Sequence, residues 1–196
     1  NTMDGCMKAR EAGVRDVILI CGMEIDTRDG EVLAIFIEEP IPSGLSVEET
    51  VRLIREQGGI VVCPHPFDRS RKNACFPDRH DPALWDAMEV LNAASKDAAS
   101  FERAARFSKE HGIVQVASSD AHTLVGLGSA AMLIHSESST LTPDEIKAAL
   151  RSGAVGFEGR VFCRFERFWE DVAKRARGRS GIFERAVRSA DRRFAL

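Results

Sequence analysis

Short apolar runs alternate with amphipathic stretches along most of the chain. Runs of strand length occur at 17–21, 32–37, 60–63, 87–91, 113–117 and 130–134. Stretches with helical periodicity occur at 4–13, 46–57, 97–111 and 143–153, and two basic ones follow at 165–179 and 181–194. Strands that alternate with helices of about 10–15 residues are typical of βαβ units, so the pattern predicts an α/β fold with a parallel sheet or barrel.

Several element boundaries are marked by specific residues. Segments 46–49 and 142–145 have the S/T-x-x-E spacing of a capping box, which predicts a helix start at each. Gly112 is placed to end the helix before it, and the Asp-Gly pair at 29–30 predicts a tight turn between two strands.

The composition is that of a globular protein. Of the 196 residues, 44% are apolar and 29% are charged, which is ordinary for one folded domain. No apolar run approaches the roughly 18 residues of a membrane span, and the N-terminus lacks the order of a signal peptide. We therefore expect a cytoplasmic protein without a membrane partner. The five Cys residues are scattered without a C-x-x-C pair, which argues against a disulfide framework or a structural zinc knuckle.

The net charge of −3 conceals an asymmetry along the chain. Residues 160–196 carry 11 Arg or Lys against 5 Asp or Glu, so the C-terminal part is basic and the rest is acidic. Such a tail contacts nucleic acid or an acidic partner in some proteins. The simpler interpretation is a pair of solvent-exposed helices with i,i+4 charge pairs and an apolar stripe at Phe165, Phe168 and Val172.

Polar side chains able to bind a metal follow successive apolar runs. They are Glu24, His65, Asn92, Asp120 and His122. Loops beyond the carboxyl ends of parallel strands converge on one face, so we expect these residues to meet there. Two imidazoles and two carboxylates suit zinc, manganese or iron better than calcium. Two such ions about 3.5–4 Å apart promote hydrolysis of phosphate esters.

Each of these residues also has a simpler explanation. A glutamate after a strand, such as Glu24, is often just exposed, and His65 between two prolines can be an ordinary turn residue. Asp120-x-His122 is the strongest single signal, because ligand-type side chains at i and i+2 in a loop can point to the same side.

Four segments, in this order, resemble motifs of the PHP (polymerase and histidinol phosphatase) family of metal-dependent phosphoesterases. They are GMEID at 22–26, PHPFD at 64–68, MEVLNA at 88–93 and ASSDAH at 117–122. The resemblance is greatest to the small stand-alone bacterial and archaeal members. It implies a distorted (β/α)7 TIM-like barrel over residues 1–159, followed by a basic helical extension over 160–196.

The resemblance also implies roles for individual residues. Glu24 corresponds to a metal-bridging glutamate, His65 to a ligand of the second ion, and Asp120 and His122 to ligands from the last motif. The implied activity is hydrolysis of a phosphate ester by metal-activated water, with two or three Mn, Zn or Fe ions in the complete family site. The implied substrate is a nucleotide, a short oligonucleotide or another small phosphomonoester.

Neighbouring residues are candidates for binding substrate or supporting the site. Asn92, with Glu89 nearby, corresponds to a strand-end motif that lines the family site, and Asp68 is expected to orient a neighbour. Cations of the loop after PHPFD are candidates for holding a substrate phosphate by charge-assisted hydrogen bonds. These cations are Arg69, Arg71 and Lys72. Ordinary loop charges are the simpler explanation for at least two of them.

The chain departs from the family at its N-terminus. Family members begin with an H-x-H motif, an S-D-G segment and a T-D-H motif on their first two strands, and none of these is present. Residues 1–5 resemble the stretch that follows T-D-H, so we expect the first β-α-β unit to be absent from this chain. We therefore expect partial or no metal occupancy, and a homodimer or strand exchange that covers the exposed sheet edge.

Two alternative functions belong to other classes. A catalytically incomplete PHP-fold protein would bind nucleic acid or a protein partner through its basic C-terminal helices, with a steep salt dependence for nucleic acid. An amidohydrolase that acts on C–N bonds shares the metal-on-barrel arrangement. It usually needs a carbamylated lysine or further histidines at strand ends, and no lysine lies at such a position.

Overall fold

The fold is a mixed α/β arrangement of five helices and seven strands over the part of the chain that the structure describes. This computed structural model describes residues 2–13, 17–136 and 140–177. The helices are α1 (Asp4–Glu11), α2 (Val47–Glu56), α3 (Ala98–His111), α4 (Pro143–Ser152) and α5 (Arg164–Arg177). The strands are β1 (Gly22–Thr27), β2 (Gly30–Ile35), β3 (Ile60–Cys63), β4 (Ala87–Asn92), β5 (Val114–Ser118), β6 (Ala130–Leu133) and β7 (Gly156–Gly159). None of these helices is both long and apolar enough to cross a membrane, and the second basic helix predicted at 181–194 lies outside the described residues.

The main sheet has the strand order β1-β2-β3-β4-β5, and β6 pairs with β7 in a separate two-stranded sheet. Strands β3, β4 and β5 are parallel, which confirms the predicted parallel sheet for this part of the fold. Strands β1 and β2 form an antiparallel hairpin at the turn predicted for 29–30, and β2 is antiparallel to β3, so the sheet is mixed and not parallel throughout. Within the described ranges these sheets do not close, so the predicted barrel is not confirmed.

The first strand begins later than the pattern predicted. The apolar run 17–21 is not a strand, and β1 starts at Gly22, opposite the last residue of β2. Phe36 then turns the chain with a φ of 61°, and its amide donates to the Cys21 carbonyl at 2.8 Å. The ladder ends there because β2 leaves the sheet. The shift places Glu24 inside a strand rather than in a loop after one.

Apolar layers cover both faces of the main sheet. On one face, Val51 and Ile54 of α2 are at most 2% exposed and pack with residues of β1, β2 and β3. On the other face, Leu150 of α4 packs with Leu33 of β2 and Val62 of β3. We call this second side the site face. Full burial of such a side chain contributes about 1.5–3 kcal/mol, so the two layers hold the sheet rigid between them.

The predicted end signals are confirmed. Both capping boxes form, since each N-cap hydroxyl accepts from the N3 amide and each N3 glutamate accepts from the N-cap amide. Gly112 ends α3 in the left-handed region with a φ of 66°. The predicted turn at 29–30 connects β1 to β2.

A disulfide joins Cys6 of α1 to Cys21, just before β1. The sequence argued against a disulfide framework because the five cysteines are scattered, but spacing along the chain does not reveal which cysteines meet. Folding brings these two, 15 residues apart, to a Cα separation of 5.6 Å. The bond ties α1 to the start of the hairpin that carries Glu24.

Helix α5 turns its charged side toward the body of the protein. The stripe of Phe165, Phe168 and Val172, expected to be the buried side, is 39–63% exposed. Glu166 and Glu170, in contrast, are 7% and 3% exposed. Polar contacts therefore hold this helix where the sequence pattern indicated apolar packing.

Candidate metal centre

The β1–β2 hairpin places three carboxylates on the site face. Across the hairpin, Glu24 pairs with Leu33 and Asp26 pairs with Glu31. Directly opposed residues share a face of the sheet, and so do alternate residues along one strand, so all three acids lie on the Leu33 side. Sequence reasoning missed Glu31. The turn at 29–30 held the signal, because it sets the hairpin register that aligns Glu31 with the acids of β1.

His65 completes a cluster of three ligand-type side chains. It follows β3 between two prolines, is 2% exposed and has a φ of 30°. Its Nε2 atom lies 3.0 Å from Glu31 Oε2 and 3.4 Å from Glu24 Oε1. A positive φ in a residue other than glycine is costly and is kept only where the surroundings hold it. Here the backbone amide of His65 donates to Glu89 Oε2 at 2.7 Å.

The two glutamates control the charge of the imidazole. Burial of the ring lowers the pKa of His65, but hydrogen bonds to Glu24 and Glu31 outweigh that effect and raise the pKa to about 9. At neutral pH a proton therefore supplies the positive charge between the two carboxylates. A divalent cation at the same place would replace this proton and would contact both carboxylates and the deprotonated ring nitrogen.

The cluster fits a divalent metal ion. Glu24, Glu31 and His65 each offer a ligand atom, and these atoms all lie within 4.8 Å of one another. One imidazole and two carboxylates form an N/O set of the kind used for Zn, Mn and Fe. The second ring nitrogen, Nδ1, is buried and has no hydrogen-bond partner among the described residues.

Asp120 and His122 lie together after β5 but apart from that cluster. Asp120 has a φ of 46°, and its Oδ2 atom is 2.5 Å from Arg71 Nη2. The Nδ1 atom of His122 lies 2.9 Å from the backbone carbonyl of Asp120. A carbonyl only accepts, so Nδ1 carries the proton, and in the neutral ring Nε2 carries the lone pair. Of the five residues predicted to meet, the structure joins Glu24 to His65 and Asp120 to His122.

Glu89 and Asn92 of β4 connect the two halves of the site. Besides the His65 amide, Glu89 accepts from Asn92 Nδ2 at 2.9 Å and from the Ser118 hydroxyl at 2.5 Å. The Asn92 amide group also lies 3.4 Å from Asp120 Oδ2. Both residues are at most 4% exposed. The oxygens of Glu89 already accept three hydrogen bonds, so this residue holds its neighbours in the site in place instead of binding a ligand itself.

Asp68 orients the loop after His65, in line with the sequence analysis. It is fully buried and accepts hydrogen bonds from the Ser70 amide, the Ser70 hydroxyl and the Ser95 hydroxyl at 2.5–2.9 Å. Burial raises the pKa of Asp68, but the hydrogen bonds from Ser70 and Ser95 and the charge of Arg71 bring it below its usual value. The carboxylate is therefore ionised and lies 3.6 Å from Arg71 Nε.

A cavity of about 250 Å³ adjoins Arg71. Lys96 and Arg167 also line it, so cations from three separate segments face one space, together with the carboxylates of Glu170 and Asp171. The guanidinium of Arg167 is held by backbone carbonyls at 3.2–3.4 Å. Of the cations named from the sequence, Arg71 lines this cavity, whereas Arg69 and Lys72 are exposed and their roles stay predictions.

Comparison with known proteins points to one family. Residues 100–155 match the family model described as PHP-associated. An uncharacterized protein of Methanocaldococcus jannaschii, MJ1587, is 41% identical over 101 residues, which cover 50% of this chain and 56% of that protein. A second protein of the same organism, MJ0417, is 29% identical over 132 residues, or 65% of this chain and 55% of that protein. The chain thus spans little more than half the length of these relatives.

Two solved structures share the fold. One is a two-domain protein of Bacteroides vulgatus, described as containing a predicted PHP-like metal-dependent phosphoesterase. It superposes with a TM-score of 0.60 at 19% identity, over 81% of this chain and 49% of that one. PsfC of Pseudomonas syringae superposes with a TM-score of 0.55 at 16% identity, over 80% and 64% of the two chains. The resemblance to the PHP family is therefore confirmed at two levels: residues 100–155 match a PHP-associated family model, and the fold is shared with a protein described as containing a PHP-like domain.

Proposed function

We propose that this protein is a metal-dependent phosphoesterase that hydrolyses a phosphate ester in a nucleotide, a short oligonucleotide or another small phosphomonoester. One observation carries the proposal: Glu24, Glu31 and His65 converge within 4.8 Å of one another on the site face. Hydrogen bonds of Glu89 and Asn92 connect this cluster to the side of the site where Arg71 lines a cavity. A cation site beside a cavity with several cationic side chains suits phosphate-ester hydrolysis, because the ions and the cations can share the charge of the phosphate.

The residues present would hold divalent Mn, Zn or Fe. Glu24, Glu31 and His65 would bind one ion, and the family resemblance adds Asp120 and His122 as ligands of a further one. When bound, such ions polarise phosphoryl oxygens and lower the pKa of water.

The cationic side chains of the cavity would bind the phosphate oxygens of the substrate. Arg71 is oriented in advance, because Asp68, Asn92 and Asp120 all contact its guanidinium group. Lys96 adds a flexible cation whose nearest carboxylate is 3.8 Å away. Groups already held in place need less reordering when substrate binds, which favours catalysis.

The finer family features belong to the same proposal. We infer that the sheet is part of a distorted (β/α)7 TIM-like arrangement, which the shared fold with the Bacteroides vulgatus protein supports. The alternative, binding of nucleic acid or a partner protein by the basic C-terminal helices, stays a prediction.

The test combines Mn²⁺ binding, followed by electron paramagnetic resonance, with hydrolysis of p-nitrophenyl phosphate. Glu31→Gln keeps the size of the side chain and removes one charged ligand, and His65→Ala removes the imidazole. Each is expected to raise the Kd for Mn²⁺ about 10–100-fold, the range seen when groups supporting a metal are removed. Glu39→Gln is the matched control, because Glu39 is an exposed acid just beyond the hairpin. If both site variants bound Mn²⁺ and hydrolysed the ester as well as the control, the proposed site would be wrong.

A further inference from the structure

One buried carboxylate of α5 contacts the loop that carries Asp120 and His122. Glu170 is 3% exposed, and its Oε2 atom accepts from the His122 amide at 2.9 Å. Its Oε1 atom accepts from the Thr123 amide at 3.0 Å and from the Thr123 hydroxyl at 2.8 Å. Two successive backbone amides of the loop thus converge on a single side chain from another element.

The loop needs such support because of its backbone conformation. Asp120 adopts a φ of 46°, which residues with a side chain rarely adopt unless the surroundings hold them there. This turn also places the Asp120 carbonyl where His122 Nδ1 donates to it. The orientation of the imidazole, and the exposure of its lone-pair nitrogen, therefore depend on the same few backbone bonds that Glu170 accepts.

Gly126 allows the close approach of loop and helix. A Cβ atom at this position would lie 2.7 Å from Glu170 Oε1 and 2.8 Å from Phe162 Cζ, so there is no room for a larger residue. In sequence this glycine comes four residues after the ASSDAH segment, where no motif explains it. The structure supplies the reason, since the glycine lets α5 reach the loop.

The orientation of α5 is explained by this contact and not by apolar burial. A buried carboxylate is unfavourable unless its hydrogen bonds are satisfied. The helix nevertheless buries Glu166 and Glu170 while Phe165 and Phe168 are 63% and 60% exposed. A helix that only covered the surface would bury the aromatic side.

We infer that Glu170 is a positioning residue for the Asp120-x-His122 loop. Helix α5, which carries Glu170, therefore helps to hold the site in its geometry. The inference rests on the proposed function, in which these two residues bind metal. It assigns a role to a residue of the basic C-terminal region that neither the motifs nor the family-model match, which ends at residue 155, includes.

The test uses the 196-residue chain with Glu170→Gln. Glutamine keeps the size of the side chain but offers a single acceptor oxygen to the two amides and turns an NH₂ group toward one of them. Thr123→Val removes only the hydroxyl donor and leaves the buried carboxylate, so it serves if Glu170→Gln fails to fold. Glu110→Gln, a change at an exposed acid of α3, is the matched control.

Three measurements separate positioning from a general effect on stability. Amide hydrogen exchange at His122 and Thr123 is expected to accelerate about tenfold or more in Glu170→Gln, with exchange in β3 and β4 unchanged. The ¹⁵N resonances of the His122 ring are expected to shift, because the loop would no longer hold Nδ1 at a fixed position against the Asp120 carbonyl. The Kd for Mn²⁺ is expected to rise about tenfold. The smaller Thr123→Val change shifts the same signals in the same direction.

Two results overturn the inference. One is loop exchange and His122 resonances in Glu170→Gln that match those of Glu110→Gln. The other is faster exchange with an unchanged Kd for Mn²⁺, which would leave Glu170 only a structural role. Failure of the proposed function is distinguishable from both, because the unsubstituted chain would then bind no Mn²⁺, while the exchange data would still report whether Glu170 holds the loop.

Discussion

Asp68→Ala is expected to destabilise the protein by about 3 kcal/mol. The buried carboxylate accepts three hydrogen bonds from Ser70 and Ser95 and lies 3.6 Å from Arg71 Nε. A hydrogen bond to a charged group contributes about 1.5–3 kcal/mol, and of the serine donors left behind Ser95 is buried. The two serine hydroxyls can rotate to other partners, so the full sum is not lost. The Ser70 amide cannot do so, and Arg71 loses one of its two carboxylate contacts while it keeps Asp120 and Asn92. The loss of these two charged contacts, at about 1.5 kcal/mol each, sets the estimate of about 3 kcal/mol.

Urea unfolding followed by circular dichroism measures this effect. With a slope of about 2 kcal/mol per molar urea, the midpoint should fall by about 1.5 M with little change in slope. Asp29→Asn, a change at an exposed turn residue, is the control and should leave the midpoint within about 0.3 M, since exposed substitutions usually change stability by less than 0.5 kcal/mol. A midpoint shift for Asp68→Ala no larger than that of Asp29→Asn would refute the argument that this carboxylate holds the loop between the Glu24–Glu31–His65 cluster and the cavity.

Three further predictions concern other contacts. The stabilisation that the Asp68 carboxylate gives to the folded state should be complete above its unfolded pKa of about 4 and be lost as the pH falls through the lower folded pKa. The difference in free energy of unfolding between the unsubstituted chain and Asp68→Asn should therefore narrow in acid. Unfolding at a series of pH values measures it. Gly126→Ala should cost about 1–3 kcal/mol, because its Cβ would lie within 2.8 Å of two side chains, whereas Gly5→Ala, with open space around it, should be neutral or stabilising in the same melts. Cys6→Ser should lower stability by about 3 kcal/mol, the loop-closure effect for a 15-residue separation, and a reducing agent should lower the melting temperature of the unsubstituted chain but not of this variant.

The sequence predicted most of the local structure. Capping boxes, helix-ending glycines and β-branched runs act through neighbouring residues, and α2, α3, α4 and β3 to β5 lie where those signals place them. The error at 17–21 has a long-range cause. An apolar run resembles a strand in any sequence, but a strand needs a partner, and β2 ends its pairing at Phe36.

The residues of the candidate site also divide into those that the sequence predicted and those that it missed. Motif order named Glu24, His65, Asp120 and His122 as candidates, because each lies in a recognisable segment. Glu31 was missed because its position depends on hairpin register, and Glu170 because it acts from a helix 47 residues beyond Thr123 in sequence.

From the amino-acid sequence alone came most of the candidate site residues and the positions of most helices and strands. The tertiary structure alone decided which of those residues meet. The register across the β1–β2 hairpin places Glu31 beside His65. The docking of α5 with its charged side inward places Glu170 against the backbone amide of His122. Both outcomes depend on contacts between segments far apart in the chain, where neither periodicity nor local propensity carries information.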